Sequence, residues 1–129
     1  MLADYEAVPT LAVQDLQRAR NFYEGVLGYA PKGDGPGEVR YPSGSGWFLV
    51  YQSSYAGTNK ATALSLQVRP DAFDAEVAAL RAKGVTFQTF EMDGITWDDG
   101  VASMGDQQRA AWFEDPDGNI LNIEAGLSG

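Results

Sequence analysis

The sequence predicts a single α+β domain made of two tandem βαβββ modules that form a curved, cleft-containing mixed sheet. The chain has 129 residues, 44% of them hydrophobic, which suits one compact domain. Segments with strand-like alternation flank two stretches with helical spacing. Their order repeats after about 55 residues, where LAVQD…VLG is followed by LQVRPD…AKG. This repeat favours two modules, over about residues 1–56 and 61–126, rather than one ferredoxin-like module with strands left over.

The first module begins with the alternating segment PTLAVQD, in which Leu11 and Val13 share one face of a strand. Asp15 is a suitable N-cap for the helix LQRARNFYEGVL, and Gly28 can end that helix. EVRYPSG and GWFLVYQ then predict two strands around a turn at 42–46.

The second module repeats this pattern. TALSLQV predicts a strand, PDAFDAEVAALRAK a helix that ends at Gly84, and VTFQTFEM, RAAWFED and NILNIEA three further strands. The stretch DGITWDDGVASMGDQQ interrupts the module. It is acidic and rich in glycine, so we expect a long loop at 93–106 that is either functional or mobile.

The composition excludes several classes of function. The chain has no cysteine and no histidine, which removes thiolate and imidazole metal sites and a Ser-His-Asp triad. A net charge of −9 argues against binding to nucleic acid, and it would attract a cationic ligand as well as promote solubility. No apolar run is long enough to cross a membrane and no secretory signal is visible, so a cytoplasmic protein is expected.

Two motifs resemble those of a known superfamily. Asp15, Leu16, Phe22–Tyr23 and Leu27–Gly28 form the pattern D-L-x5-F-Y-x3-L-G after a strand. FEDPDGNILNI resembles the closing D-P-D-G-N-x-x-E strand of the same proteins, with Asn122 in place of the glutamate. The chain is therefore similar to the vicinal oxygen chelate superfamily, the glyoxalase, bleomycin resistance and extradiol dioxygenase group. The resemblance implies the glyoxalase-like fold.

The same resemblance locates a metal site whose ligands are absent here. The family's positions correspond to Val8, Ala63 and Asn122, with a fourth ligand often near 49–51. Two of these side chains carry no donor atom, and an amide oxygen alone cannot offset the lost hydration of a divalent ion. We therefore expect no metal and no cofactor, and no metal-dependent glyoxalase or dioxygenase activity.

Strand alternation indicates which side chains surround the vacated position. Small or weakly polar residues share its face on three strands, and aromatic residues nearby could stack on a flat ligand. The candidate ligand-binding residues are Val8, Thr10, Trp47, Tyr51, Ala63, Ser65, Trp97, Trp112, Asn122 and Glu124. Close packing by the aromatic residues themselves remains the alternative to a cavity.

Three functions are compatible with these residues. The leading hypothesis is a metal-free protein that binds a small, aromatic or cationic organic molecule, as the antibiotic-sequestering members do. The second is a metal-independent lyase, isomerase or cyclase with Glu124 or Glu6 as general base. The third is a structural or regulatory domain without a ligand. The resemblance also implies a homodimer.

Charged residues near the site have simpler explanations. Arg109 is expected to form a surface ion pair, with Glu114 or Glu124, although an anionic ligand is an alternative. The acidic residues of the loop favour a solvated surface over a weak cation site; they are Asp93, Asp98, Asp99 and Asp106.

Overall fold

A computed structural model describes residues 1–105 and 107–126, apart from the side chain of Asp34. The chain divides into two compact units. Unit 1 comprises Met1–Asn59 and Pro116–Asn119, and unit 2 comprises Lys60–Asp115 and the chain from Ile120 onward. Asp106, one of the predicted loop acids, lies outside the described residues.

Unit 1 contains a four-stranded sheet in the order β1-β4-β3-β2. Strand β1 runs parallel to β4, and the other neighbours are antiparallel. The elements are β1 (Thr10–Val13), α1 (Leu16–Arg20), β2 (Gly33–Gly35), β3 (Glu38–Ser43) and β4 (Gly46–Gln52). Strand β2 was not predicted, and the turn between β3 and β4 is shorter than the predicted one.

The first helix begins as predicted and then changes its winding. The carboxylate of Asp15 accepts a hydrogen bond from the backbone N–H of Arg18, which makes Asp15 the N-cap. After Arg20 the chain continues as a π-helical segment over Asn21–Val26 and ends at Gly28, whose φ is +86°. The prediction of one continuous α-helix was therefore wrong in its second half.

An aromatic core packs between this helix and the sheet. Tyr23, Tyr41 and Phe48 are fully buried, with ring centroids 5.5 to 5.7 Å apart. The hydroxyl of Tyr41 donates to Glu24, and the Arg20 guanidinium also donates to that carboxylate. The phenol is thereby satisfied inside an otherwise apolar core.

Unit 2 contains a five-stranded sheet in the order β5-β9-β8-β7-β6, with β5 parallel to β9. One face packs against α2 through Phe73, Val77 and Leu80, which are buried. The elements are β5 (Thr62–Gln67), α2 (Phe73–Ala82), β6 (Thr96–Asp98), β7 (Val101–Met104), β8 (Gln108–Glu114) and β9 (Ile120–Ala125). The α+β class with one helix and one mixed sheet in each half is confirmed.

The strand predicted at VTFQTFEM was wrong. Residues 85–95 form an irregular segment with one isolated bridge, between Gln88 and Trp112. The strands lie instead inside the predicted loop, where β6 and β7 form a hairpin closed by Asp99 and Gly100. Both closing residues have positive φ, +49° and +82°, as a type I′ turn requires.

The DPDGN turn joins β8 to β9, yet it completes unit 1. Asp117 accepts hydrogen bonds from the backbone N–H of Gln14 and from Arg18, and the side-chain amide of Asn119 donates to the carbonyl of Ala12. The motif therefore fixes the corner between β1 and α1. None of the helices in the described part of the chain has the length and apolar character needed to cross a bilayer.

Candidate ligand-binding site

The candidate site lies on the face of the unit 2 sheet opposite α2. We call it the open face because α2 does not cover it, although Asn122, Ala102 and Ala110 on this face are buried. Strand register places Ser65, Asn122 and Trp112 side by side on β5, β9 and β8. The next row contains Gln67, Glu124, Ala110, Ala102 and Trp97. The predicted alternation thus brings these unit 2 candidates together. Ala63 falls in a register shift between Thr62 and Leu64, so Ser65 stands level with Asn122.

Asn122 is the most unusual polar group on this face. Only 4% of the residue is exposed, and its side-chain oxygen Oδ1 is buried without a hydrogen-bond partner. A buried acceptor left unpaired costs roughly 1–3 kcal/mol. Such a cost is commonly tolerated where a group is kept for a functional partner.

Three aromatic rings contact one another on the open face. The ring centroid of Phe90 lies 4.9 Å from that of Trp112 and 5.3 Å from that of Trp97, with nearly perpendicular planes. The two indoles are 6.0 Å apart. Trp97 was expected in a loop; it lies on strand β6. The indole N–H of Trp112 donates to the hydroxyl of Thr62, which fixes that ring.

Two cavities adjoin this aromatic group. The first, of about 390 Å³, has a mainly apolar lining that also includes Lys60, Thr62 and Gln88. Its remaining lining residues are Ala61, Thr89, Phe90, Met92, Trp112 and Ile120. The second, of about 600 Å³, is more open and adjoins Trp97, Glu91 and Asp93. Thr89, Phe90 and Met92 line both cavities.

The two candidate bases already have hydrogen-bond partners. Glu124 is partly buried and accepts a hydrogen bond from the side-chain amide of Gln108 at 3.0 Å. Glu6 is exposed and accepts one from the indole N–H of Trp47 at 2.6 Å. Each bond uses one carboxylate oxygen, so the second oxygen of either residue could still accept a proton.

The unit 1 candidates surround a more self-contained face. Thr10 pairs with Leu49, and Leu49 pairs in turn with Arg40 on β3. The Arg40 guanidinium lies 5.2 Å from the ring centroid of Trp47. Val8 is partly buried and precedes β1. Tyr51 on β4 is 37% exposed, as a ligand contact could be.

Several contacts of the site were not predicted from the sequence. Phe90 was assigned to a regular strand, so its position over the two tryptophans was missed. The pattern TFQTF does contain a signal, because Phe87 and Phe90 are three residues apart and cannot share a face in a strand. Arg109 forms its ion pair with Asp74, not with either predicted glutamate, and stacks on Phe73.

Comparison with known families decides the classification. Residues 7–123 match the Glyoxalase/Bleomycin resistance protein/Dioxygenase superfamily. The chain belongs to this superfamily. No curated protein matches the chain significantly.

Solved structures of the superfamily share the fold at low sequence identity. The fosfomycin resistance protein FosX from Mesorhizobium loti has a TM-score of 0.67 and 16% identity, over 95% of this chain and 92% of that one. FosX from Listeria monocytogenes, solved with Mn(II) and sulfate, gives 0.69 and 16% over 95% and 90%. A glyoxalase/bleomycin resistance protein/dioxygenase from Alicyclobacillus acidocaldarius gives 0.70 and 16% over 95% and 93%. At this identity the likeness shows the fold alone.

The side chains at the superfamily's metal-ligand positions do not fit a divalent ion. Val8 and Ala63 are aliphatic, and Asn122 offers a neutral oxygen beside the hydroxyl of Ser65. Across the described residues, no group of three His, Cys, Asp or Glu side chains is placed to hold a metal ion. Divalent ions of the hard class need several oxygen ligands, commonly carboxylates, at close range.

Proposed function

We propose that the protein binds a small organic molecule on the open face of unit 2, and that it does so without a divalent metal ion. The observation that carries this proposal is the buried, unpartnered oxygen of Asn122 at the position of the superfamily's metal-binding glutamate. A substitution of glutamate by asparagine removes the charge that a metal needs and retains one acceptor for a ligand.

The chemistry around Asn122 indicates what the ligand would offer. A ligand with an N–H or O–H group would donate a hydrogen bond to the Asn122 oxygen. That bond would offset the free energy that the ligand's donor group loses when it leaves water. Trp112 supplies an apolar plane beside it, on the neighbouring strand. A mainly apolar hollow with a few polar groups is typical of small-molecule sites.

One solved structure with the same fold is named a fosfomycin resistance protein, FosX. For this chain we propose sequestration of a toxic compound as the biological form of the binding function. A net charge of −9 would increase the rate of encounter with a cationic compound through long-range attraction.

A ligand screen tests the proposal directly. Native mass spectrometry of the freshly purified protein, followed by a thermal-shift screen of antibiotics and aromatic metabolites, should identify a compound with a stoichiometry of one per site. Its affinity should be the same in EDTA and in Mn(II), and it should fall at least about tenfold in Asn122→Leu if one buried hydrogen bond is lost. Tyr55→Ala is the matched control, because Tyr55 is 79% exposed and lies outside both sheets.

The opposite result is equally clear. If chelation abolishes binding and Mn(II) restores it, the protein uses a metal and the proposal is wrong. If the compound is converted to a product that disappears in Glu124→Gln, the enzymatic alternative replaces the binding function.

We also propose a homodimer, as expected for small members of the superfamily. Sedimentation velocity across a hundredfold range of concentration tests this. A single species with the mass of one chain, 13.9 kDa, at every concentration would contradict it.

A further inference from the structure

Phe90 occupies a position that a ligand's ring could take. Its ring makes edge-on contacts with both Trp97 and Trp112, at the centroid distances favoured by aromatic pairs. It nevertheless remains 38% exposed. The ring is therefore well placed against the indoles and only partly enclosed by the protein.

The backbone that carries Phe90 differs from the backbone that carries its partners. Trp97 lies on β6, which pairs with β7, and Trp112 lies on β8, which pairs with β9. The hydrogen bond from its indole N–H to Thr62 holds Trp112 further. Phe90 lies in the irregular segment 85–95, called here the strap. Segments with little regular pairing open at low free energy, so Phe90 can move while the indoles stay in place.

The strap also separates the two cavities of the open face. Because Thr89, Phe90 and Met92 line both, the displacement of Phe90 would join the hollow of about 390 Å³ to the one of about 600 Å³. A single elongated groove would result, with the two indoles on its floor.

We propose that Phe90 is a displaceable plug, and that the ligand carries a planar aromatic ring that replaces the Phe90 ring against Trp97 and Trp112. This inference deepens the proposed binding function by naming the chemical class of the ligand. Phe90 is then a specificity-determining residue: a ligand must offer a ring good enough to replace two existing aromatic contacts. A saturated ring of the same size would bury similar area without matching the edge-to-face geometry.

Two small probes of equal size test this geometry without knowledge of the natural ligand. Phenol is planar and cyclohexanol is not. The chain has three tryptophans, so a ¹H–¹⁵N spectrum contains three indole N–H signals, and Trp47 in unit 1 serves as an internal control. Phenol should shift the Trp97 and Trp112 signals and leave the Trp47 signal in place.

The decisive comparison is between wild type and Phe90→Ala. Removal of the plug should increase the affinity for phenol about tenfold or more, since the probe no longer competes with two aromatic contacts. The affinity for cyclohexanol should also increase, but by a factor several times smaller than the factor for phenol. Phe90→Leu retains an apolar side chain but loses the ring, and should give an intermediate phenol affinity. Tyr55→Ala should bind like wild type.

Two results would overturn the proposal: an unchanged phenol affinity in Phe90→Ala with an intact spectrum, or equal gains for phenol and cyclohexanol. Its outcome is separable from that of the proposed function. If Phe90→Ala gains phenol binding but no natural ligand depends on Asn122, the aromatic subsite exists and the broader binding function fails. If a ligand binds through Asn122 and phenol is unaffected by Phe90, only the plug is rejected.

Discussion

Each sheet carries a tryptophan next to a candidate site residue, Trp47 on β4 and Trp112 on β8, and the surroundings of the two rings differ. In unit 1 the indole N–H of Trp47 is bound by Glu6 and its ring is covered by Arg40, so the chain supplies both polar and cationic partners. In unit 2 Trp112 pairs in register with Asn122, whose side-chain oxygen has no partner, and its ring contacts the ring of Phe90 on an irregular segment. The duplicated fold has therefore satisfied one face internally and left the other with unused recognition groups. This difference between two similar modules supports the proposal of a binding site in the second.

The largest expected effects on stability come from substitutions in the two cores. The cores of the two units should respond more similarly than their site faces do. Phe48→Ala and Phe113→Ala each remove a ring that is at most 1% exposed, and each should lower the free energy of unfolding by about 3–5 kcal/mol. Phe48 should cost more, because it also contacts Tyr23, Tyr29 and Tyr41. Urea unfolding monitored by circular dichroism measures both. A larger loss for Phe113→Ala would show that the aromatic core of unit 1 is not the better packed one.

Two buried asparagines, one in each unit, should differ in how much their replacement changes the free energy of unfolding, and this effect is of intermediate size. Asn119 belongs to unit 1 and its amide is bonded to Ala12, so Asn119→Ala should cost about 1–3 kcal/mol. Asn122→Leu removes an acceptor that is already unpaired and should leave stability unchanged or raise it by up to about 1 kcal/mol. Equilibrium unfolding of the two variants in parallel checks this. If Asn122→Leu is as damaging as Asn119→Ala, then Asn122 has a structural role and the contrast between the faces is lost.

The smallest effect concerns the polar network of unit 1. The hydrogen bond from Arg20 lowers the pKa of Glu24, with a further contribution from the Tyr41 hydroxyl, and burial opposes them. A carboxylate with a lowered folded-state pKa contributes stability above its unfolded pKa, near 4.5, and loses it as the pH falls through the folded value. Glu24→Gln should therefore flatten the stability profile below about pH 4.5, with a loss under about 1 kcal/mol at neutral pH.

Thermal unfolding between pH 3 and 7 tests this prediction against Glu91→Gln, an exposed change on the strap that removes the same charge. Identical profiles for the two variants would mean that the network adds nothing beyond net charge.

Local signals predicted the parts of the fold that short-range chemistry determines. Asp15 caps α1 through its own carboxylate, and Gly28 and Gly84 both adopt the positive φ expected after a helix. The repeated order of elements predicted two modules, and their strands form a four-stranded and a five-stranded sheet. Asn122 was proposed as a site residue because the family resemblance places it where the closing strand has a glutamate, whereas its lack of a hydrogen-bond partner depends on tertiary surroundings that a sequence does not show.

The main error in the predicted fold was the loop at 93–106. Its amino-acid composition was given more weight than the turn that its residues favour. Glycines and acids favoured a loop at 93–106, although the Asp99–Gly100 pair is a strong hairpin signal. Conversely, VTFQTFEM has the residues of a strand but is irregular apart from the bridge at Gln88, and Phe90 packs on two tryptophans. Local propensity was overridden there by an aromatic contact distant in the chain.

The DPDGN turn has a consequence for how the chain is made. The bonds that fix the β1–α1 corner come from Asp117 and Asn119, about a hundred residues downstream of their partners. During synthesis, at about 5–20 residues per second, the first half leaves the ribosome seconds before these hydrogen bonds can form. The amino-terminal half therefore emerges without the bonds that fix its β1–α1 corner, and these bonds can form only after residues 117–119 have also emerged.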